Sequence, residues 1–255
     1  MTRLKRGALC AFLASATALL VSAPPAQAII NGEKATESYP FMGSLQNPQS
    51  PRPDGHACGA TLVDKEWMVT ARHCVDGRGG FDTMKVRIGS PRVDRGGEVI
   101  GVEKAVWPSG GIHGDDIALI KLKRPAAATP APIATDVPEH HAPVRILGWG
   151  LTGTKMIPAN WPKDLRQLDT ERLPDGKCDD SGIVYGKEIC IAAVNGRGAA
   201  NMDSGGPALI KTKGAWTLVG ATSGSGADPN VEPVDPTVYT NVTIRADWIK
   251  SVINS

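Results

Sequence analysis

Short apolar stretches separated by turn residues fill most of the chain. Met84, Val86 and Ile88 alternate with two basic residues, which is the period of a strand with one buried face. Turn residues such as those at 76–80 and 175–176 punctuate the pattern. The other strand-like runs are 59–63, 117–122, 144–147, 208–211 and 216–221. The pattern predicts an all-β chain folded as an antiparallel barrel or sandwich.

Two segments depart from this pattern. Residues 125–138 are rich in Ala, Pro and Thr, which leaves two interpretations: a linker between two halves, or a long surface loop within one domain. Near the C-terminus the apolar period becomes helical, and Thr243 precedes it as a suitable N-cap. The apolar face of that helix is made of Ile244, Trp248, Ile249, Val252 and Ile253. We therefore expect the chain to end in an amphipathic α-helix.

The composition is that of a globular protein with one large domain or two small ones. The chain has 255 residues, of which 41% are hydrophobic and 21% charged. Its 28 basic and 26 acidic residues leave a net charge of +2, and no run of like charges stands out. Neither nucleic acid nor a membrane surface is therefore predicted as a partner.

The first 28 residues have the parts of a secretory signal peptide. Three basic residues precede the apolar segment 8–21, and Ala26-Gln27-Ala28 is a small-x-small cleavage site. A membrane anchor is the alternative, but the apolar segment is shorter than the ~20 residues of a spanning helix. The sequence predicts a secreted, extracellular protein that begins at Ile29.

Four cysteines remain once Cys10 leaves with the signal peptide: Cys58, Cys74, Cys178 and Cys190. An even count in an exported chain predicts two disulfides, for which three pairings are possible. The simplest pairing forms two short loops, Cys58–Cys74 and Cys178–Cys190, and free buried thiols are the alternative. No C-x-x-C pair occurs, so a zinc site is not expected.

Three local motifs carry residues suited to nucleophilic catalysis. His73 stands beside a cysteine after an apolar run, Asp116 stands at the mouth of a predicted strand, and Ser204 lies in a Gly-rich turn. A serine hydroxyl needs a base within hydrogen-bond reach, and histidine titrates close enough to neutrality to serve. A carboxylate can hold the histidine ring in one tautomer. Each motif alone is more often ordinary structure, so the prediction depends on all three together.

Together these motifs resemble those of the trypsin-like serine proteases. Residues 70–74 (TARHC) are similar to the family's TAAHC, 115–122 (DDIALIKL) to its DIALL strand, and 203–207 (DSGGP) to its GDSGGP. The order of the three motifs and their separation are also similar. The resemblance implies a signal peptide followed by one peptidase domain of two antiparallel six-stranded β-barrels, about 29–130 and 131–255. The site would lie in the cleft between the barrels, and a C-terminal α-helix would follow.

The resemblance implies that His73, Asp116 and Ser204 are the catalytic residues. The family's acid directly precedes Ile-Ala-Leu, which favours Asp116 over Asp115. Successive strand residues point to opposite faces, so we expect Asp115 to be a solvated loop carboxylate. The amides of Met202 and Ser204 would form the oxyanion hole. The family has Gly where Met202 stands, so the sequence predicts a strained backbone or a poorly formed hole there.

The implied substrate pocket departs from that of trypsin. Gly198 stands where trypsin-type members have Asp, Thr237 stands where many members have Gly, and Gly224 replaces a Trp. We expect a small or medium apolar residue before the scissile bond, with cleavage after Lys or Arg as the alternative if an acid in loop 228–236 reaches the pocket. The implied pocket residues are Gly198, Ser223, Ser225 and Thr237.

Activation in this family depends on a new N-terminus that folds inward and pairs with the Asp before the nucleophile. The corresponding pair here is Ile29 and Asp203. Because the signal cleavage site directly precedes Ile29, the resemblance implies export without a zymogen stage.

The sequence therefore predicts a monomeric serine endopeptidase that needs neither cofactor nor metal. Its partners would be protein or peptide substrates and protein protease inhibitors. The alternative is a protease-like binding protein on the same fold. An esterase would need a G-x-S-x-G motif, which residues 202–206 do not supply. His56 and His113 match no family site, and we do not expect the pair His140-His141 to hold a metal.

Overall fold

The computed structural model describes residues 28–77, 80–225 and 235–255. The strands of its first half are β1 (Glu33–Lys34), β2 (Met42–Gln46), β3 (His56–Leu62), β4 (Trp67–Thr70), β5 (Lys85–Ile88), β6 (Glu98–Val106) and β7 (Ala118–Leu122). The strands of its second half are β8 (Pro143–Gly148), β9 (Arg166–Leu173), β10 (Glu188–Ile191), β11 (Pro207–Thr212), β12 (Ala215–Ser225) and β13 (Thr237–Asn241).

The helices are short. A four-residue turn, α1 (Ala28–Asn31), has non-helical dihedrals at Ile29 and Ile30, and α2 (Ala246–Ile253) closes the chain. Short 3₁₀ segments lie in the connections, at Arg72–Cys74, Phe81–Thr83, Pro158–Asn160, Asp175–Ser181 and Thr243–Arg245. No helix among the described residues is long and apolar enough to cross a membrane.

The strands form two antiparallel six-stranded barrels, as the sequence predicted. The first barrel closes in the order β2-β3-β4-β7-β6-β5. The second barrel follows the order β8-β9-β10-β13-β12-β11 and closes because β8 pairs with both β9 and β11. The short strand β1 adds to β9 outside this ring. The alternation seen in the sequence has its expected effect, because Val86 and Ile88 are buried.

The C-terminal helix packs against the first barrel, which is farther from it in sequence than the second barrel. Ile249 is buried in the same apolar cluster as the first-barrel residues Leu62 and Leu119. The expectation for the start of this helix was wrong in two details. Thr243 lies in a preceding 3₁₀ turn, where its hydroxyl donates to Asn241 Oδ1 over 2.7 Å, and Ile244 is exposed.

The connector 125–138 lies across both barrels. Its Ala131 amide donates to the Leu62 carbonyl of β3 over 2.8 Å, and its Ala134 amide donates to the Leu218 carbonyl of β12 over 2.9 Å. Both alanines are buried. The segment is therefore a strap, by which we mean a connector that is hydrogen-bonded to both barrels. The division of the chain at 130/131 stays a prediction.

Candidate active site

A 3₁₀ turn after strand β4 positions His73. The His73 amide donates to Asp116 Oδ1 over 2.9 Å, and His73 Nδ1 lies 2.7 Å from Asp116 Oδ2. Because a carboxylate only accepts hydrogen bonds, this contact places a proton on Nδ1. In the neutral ring the lone pair is then on Nε2, which is the arrangement that a general base requires.

Asp116 lies two residues before strand β7 and is 5% exposed. Its Oδ2 also accepts the Ser223 hydroxyl over 3.0 Å, and its backbone carbonyl accepts the Thr240 hydroxyl over 3.0 Å. The second barrel thus holds a carboxylate that belongs to the first. These contacts orient the buried acid toward His73.

Asp115 does not have the solvated role that we expected. Its carboxylate forms an ion pair with Lys187 Nζ at 2.7 Å and a second with Arg245. Only 14% of the side chain is exposed. Both cations come from the second barrel, so Asp115 ties the barrels together beside Asp116.

The turn that carries Ser204 is wedged against the first barrel. The Gly59 amide of β3 donates to the Ser204 carbonyl over 2.8 Å. Gly205 has a positive φ of 73°, and a Cβ there would meet the Gly59 carbonyl at 2.6 Å and the Ala71 amide at 2.8 Å. Only glycine can therefore bring the Ser204 turn this close to the segment that leads to His73.

His73 and Ser204 line one open cavity of about 340 Å³ between the barrels. The disulfide Cys58–Cys74 lies in its wall and fixes the turn that carries His73 to β3. The second disulfide, Cys178–Cys190, joins the 3₁₀ segment Asp175–Ser181 to β10. Both predicted disulfide pairings are confirmed.

Met202 has a left-handed backbone conformation, with a φ of 75°. This region favours glycine, and a bulky residue enters it at a cost of about 1–2 kcal/mol. The sequence predicted either strain or a malformed loop at this position. The structure has the strained, glycine-like conformation.

His56 was missed by sequence reasoning, since no motif marks it. Its Nδ1 lies 2.8 Å from the Ser44 hydroxyl and its Nε2 lies 3.1 Å from the Met202 carbonyl. Burial lowers the pKa of His56 to about 3, so the ring is neutral at ordinary pH and donates from Nε2 to that carbonyl. His56 thereby anchors the strained Met202 to the first barrel.

Asp203 is buried, with 2% of the residue exposed. Its carboxylate accepts the Gly150 amide over 2.7 Å and the Ala200 amide over 2.9 Å. Burial nevertheless raises the pKa of Asp203 to about 7, because two amides do not replace the lost hydration. Ile29 is also buried, and the neighbouring Ile30 pairs with Gly198, two residues from Ala200.

A smaller pocket of about 180 Å³ adjoins Ser204. Thr237 and Ser223 are among the residues that line it, and its described lining carries no charged side chain. Gly198 is not part of this lining. The side chain of Ser225 and the acids Asp228 and Glu232 lie outside the described residues, and Asp235 is exposed.

The site also contains a cluster of potential metal ligands. Within the described ranges, one group of three potential ligands lies close enough to hold an ion: Cys58, His73 and Cys74. Its two cysteines are joined in a disulfide and cannot act as thiolates. His141 Nδ1 lies 3.1 Å from a Glu171 carboxylate oxygen on the surface.

Known proteins share this sequence and architecture. The trypsin family model matches residues 29–249. Bovine proproteinase E is 30% identical over 91% of this chain and 97% of that protein, and brachyurin of Leptuca pugilator is 31% identical over 88% and 97%. Mouse transmembrane protease serine 11G is 32% identical, but the chain spans only 56% of it.

A solved structure of mouse neuropsin, described as a serine protease, superposes with a TM-score of 0.72. It is 25% identical, and the match covers 88% of this chain and all of that one. The matched range begins at Ile29 and includes His73, Asp116 and Ser204. The chain belongs to the trypsin family of serine endopeptidases.

Proposed function

We propose that the protein is a secreted endopeptidase that cleaves proteins or peptides through an acyl-enzyme formed on Ser204. His73 takes the Ser204 proton as the hydroxyl attacks the scissile carbonyl, and then returns it to the leaving amine. Asp116 keeps the ring in its Nδ1–H tautomer and stabilises the imidazolium. Water, deprotonated by His73, then releases the acid product. The observation that carries this proposal is the His73–Asp116 pair beside a cavity that Ser204 shares.

The amides of Met202 and Ser204 are the proposed oxyanion hole. In the described part of the chain, neither amide donates a hydrogen bond, so both are available to a developing oxyanion. The backbone of Met202 supports this role, since its positive φ is the conformation that the family's usual glycine would adopt at this position.

The proposed specificity is for a small or medium apolar residue before the scissile bond. The uncharged pocket lined by Thr237 and Ser223 supports this choice. We further propose that signal cleavage frees the Ile29 amine, which pairs with Asp203 in a monomeric, extracellular enzyme. The Asp203 carboxyl supports that pairing, because its burial raises its pKa and a paired ammonium group would stabilise its charged form.

Replacement of the nucleophile tests the proposal. Ser204→Ala should lower kcat/KM on casein or peptide substrates about 10⁴-fold or more and abolish labelling by an organophosphonate. Ser109→Ala removes a hydroxyl at an exposed position and should change neither. Hydrolysis by Ser204→Ala at the unmodified rate would refute the proposal. An unmodified protein that folds yet neither hydrolyses nor becomes labelled would instead be a protease-like binding protein.

A further inference from the structure

The methionines of this chain are divided between two environments. Three are buried in the core cluster of the first barrel, with at most 1% of each residue exposed: Met42, Met68 and Met84. The other two in the described part of the chain, Met156 and Met202, both line the cavity of about 340 Å³ that His73 and Ser204 share. Every methionine of the described residues that solvent can reach therefore lies in this cleft.

Small oxidants can reach both cleft methionines through the open cavity. Met156 is 48% exposed, and Met202 is partly exposed. Oxidation of a thioether follows its exposure, because the sulfur must come into contact with the oxidant. The three core methionines are shielded, since a packed barrel interior has few voids larger than a water molecule. We therefore expect a peroxide to react at positions 156 and 202 and to spare the core.

The main chain holds the two cleft methionines at the cavity. Met202 follows Asn201, whose carbonyl accepts the amide of Leu151 over 2.9 Å. Leu151 begins the loop that carries Met156, so the two methionines stand on segments that are bonded to each other. The Met202 carbonyl is also bonded to His56, over 3.1 Å. Because these contacts fix the main chain at residue 202, a modified side chain there cannot withdraw from the cavity with its backbone.

The cavity that contains these methionines faces the part of the substrate that follows the scissile bond. His73 lines this cavity but is not part of the lining of the smaller pocket beside Ser204. In the proposed mechanism His73 returns a proton to the leaving amine, so the leaving segment must pass through the cavity that His73 lines. Thioether side chains give such a wall an apolar and adaptable surface, which suits apolar residues in the leaving segment.

We propose that Met156 and Met202 form a modification site for hydrogen peroxide, at which oxidation weakens the binding of apolar residues after the scissile bond. One peroxide oxygen is transferred to the sulfur, the O–O bond breaks, and the other oxygen leaves as water with both protons. Each methionine is oxidised by two electrons, and the peroxide is reduced by two. An apolar leaving segment would cover the new sulfoxide oxygen without donating a hydrogen bond to it, which is costly. This consequence rests on the proposed endopeptidase function.

Peptide mapping by mass spectrometry tests the site without relying on activity. During limited exposure of the folded protein to hydrogen peroxide, we expect positions 156 and 202 to gain one oxygen about tenfold or more faster than the three core methionines. Equal rates at all five positions, or faster oxidation in the core, would overturn the site.

A matched pair of substrates tests the consequence for cleavage. Both have the same residues before the scissile bond, but one continues with two leucines and the other is a methyl ester, whose methanol is too small to fill the cavity. After oxidation we expect the peptide-to-ester ratio of kcat/KM to fall about tenfold. An unchanged ratio would overturn the proposed effect. A protein that hydrolyses neither substrate before oxidation would count against the endopeptidase function instead, while the mapping would still test the site.

Leucine variants locate the effect, because leucine has a similar volume and cannot form a sulfoxide. In the double variant Met156→Leu, Met202→Leu the ratio should be the same before and after exposure to peroxide. Met84→Leu changes a core methionine and should respond as the unsubstituted protein does. Since each ratio is compared within one variant, any change in activity caused by Met202→Leu itself cancels. A fall in the ratio of the double variant contradicts the proposal, and if that variant does not fold, the mapping still decides the site.

Discussion

Met202 shows how one residue can keep a local conformation that its side chain disfavours. Its carbonyl is held by His56, and the following residue, Asp203, is held by two backbone amides. The surrounding contacts therefore impose the left-handed φ of 75°, and the strain is offset by bonds on either side.

Met202→Gly should raise the free energy of unfolding by about 0.5–1 kcal/mol, because relief of the left-handed strain exceeds the extra chain entropy of glycine. Turnover should stay equal or rise, since the loop already follows a glycine-like course. Chemical denaturation and steady-state kinetics measure the two effects. Met202→Val serves as the contrast, because a β-branched residue is still less suited to this φ and should destabilise the protein. A large fall in turnover for Met202→Gly would contradict this account.

At the scale of the element, the turn after Ser204 is the point where the second barrel meets the first. Gly205 and Gly59 approach so closely that neither leaves room for a side chain. The contact joins β3, which carries one end of the Cys58–Cys74 disulfide, to the turn that carries Ser204. The relative position of His73 and Ser204 depends on this contact.

Gly205→Ala should therefore separate these elements. The added Cβ clashes with backbone atoms of Gly59 and Ala71, which cannot rotate away, so we expect a loss of at least about 2 kcal/mol in stability and of most activity. Gly214→Ala is the matched control: its φ is also positive, at 85°, but no atom lies within 4 Å of the new Cβ. Comparison of the two by thermal denaturation and peptide cleavage separates crowding from dihedral strain. Equal effects of both variants would show that crowding between Gly205 and the first barrel is not what fixes the Ser204 turn.

At the scale of the whole molecule, the proposed pair of Ile29 and Asp203 would make stability depend on maturation. In a form that retains Ala26–Ala28 the carboxyl has no ammonium partner, and burial raises its pKa from 3.8 to about 7. An acid whose pKa is higher in the folded protein than in the unfolded chain stabilises the fold at low pH, and this stability is lost as the pH rises to the pKa of the folded form. The retained form should thus lose on the order of 4 kcal/mol between about pH 4 and 7. In a form that starts at Ile29, the paired carboxylate should escape this loss.

The measurement is the difference in unfolding free energy between the two forms across that pH range. All other titrating groups are shared, so their effects cancel in the difference. We expect the form that starts at Ile29 to gain an increasing advantage from pH 4 to 7 and to lose it again above about pH 8, as the amine deprotonates. A difference that does not vary with pH would show that Asp203 and the Ile29 amine do not meet.

Local sequence was informative where the chemistry is local. The residues near His73, Asp116 and Ser204 form short motifs, and the cysteines pair over separations of only 16 and 12 residues. His56 and Asp115 were misjudged because their partners are distant in sequence: Met202 is 146 residues from His56, and Arg245 is 130 residues from Asp115. Periodicity found the strands, but it could not tell that Thr243 would bond to Asn241 and not cap a helix.

The strap at 125–138 has a practical consequence. It is hydrogen-bonded to β3 at Ala131 and to β12 at Ala134, while Thr129, just before both anchors, is exposed. The apolar cluster centred on the first barrel also includes Leu209 and Leu218 of the second. A cut at Thr129 removes neither set of contacts. Fragments 29–129 and 130–255, produced apart, would each bring part of the cleft, and we expect peptide cleavage to appear only after the two are mixed.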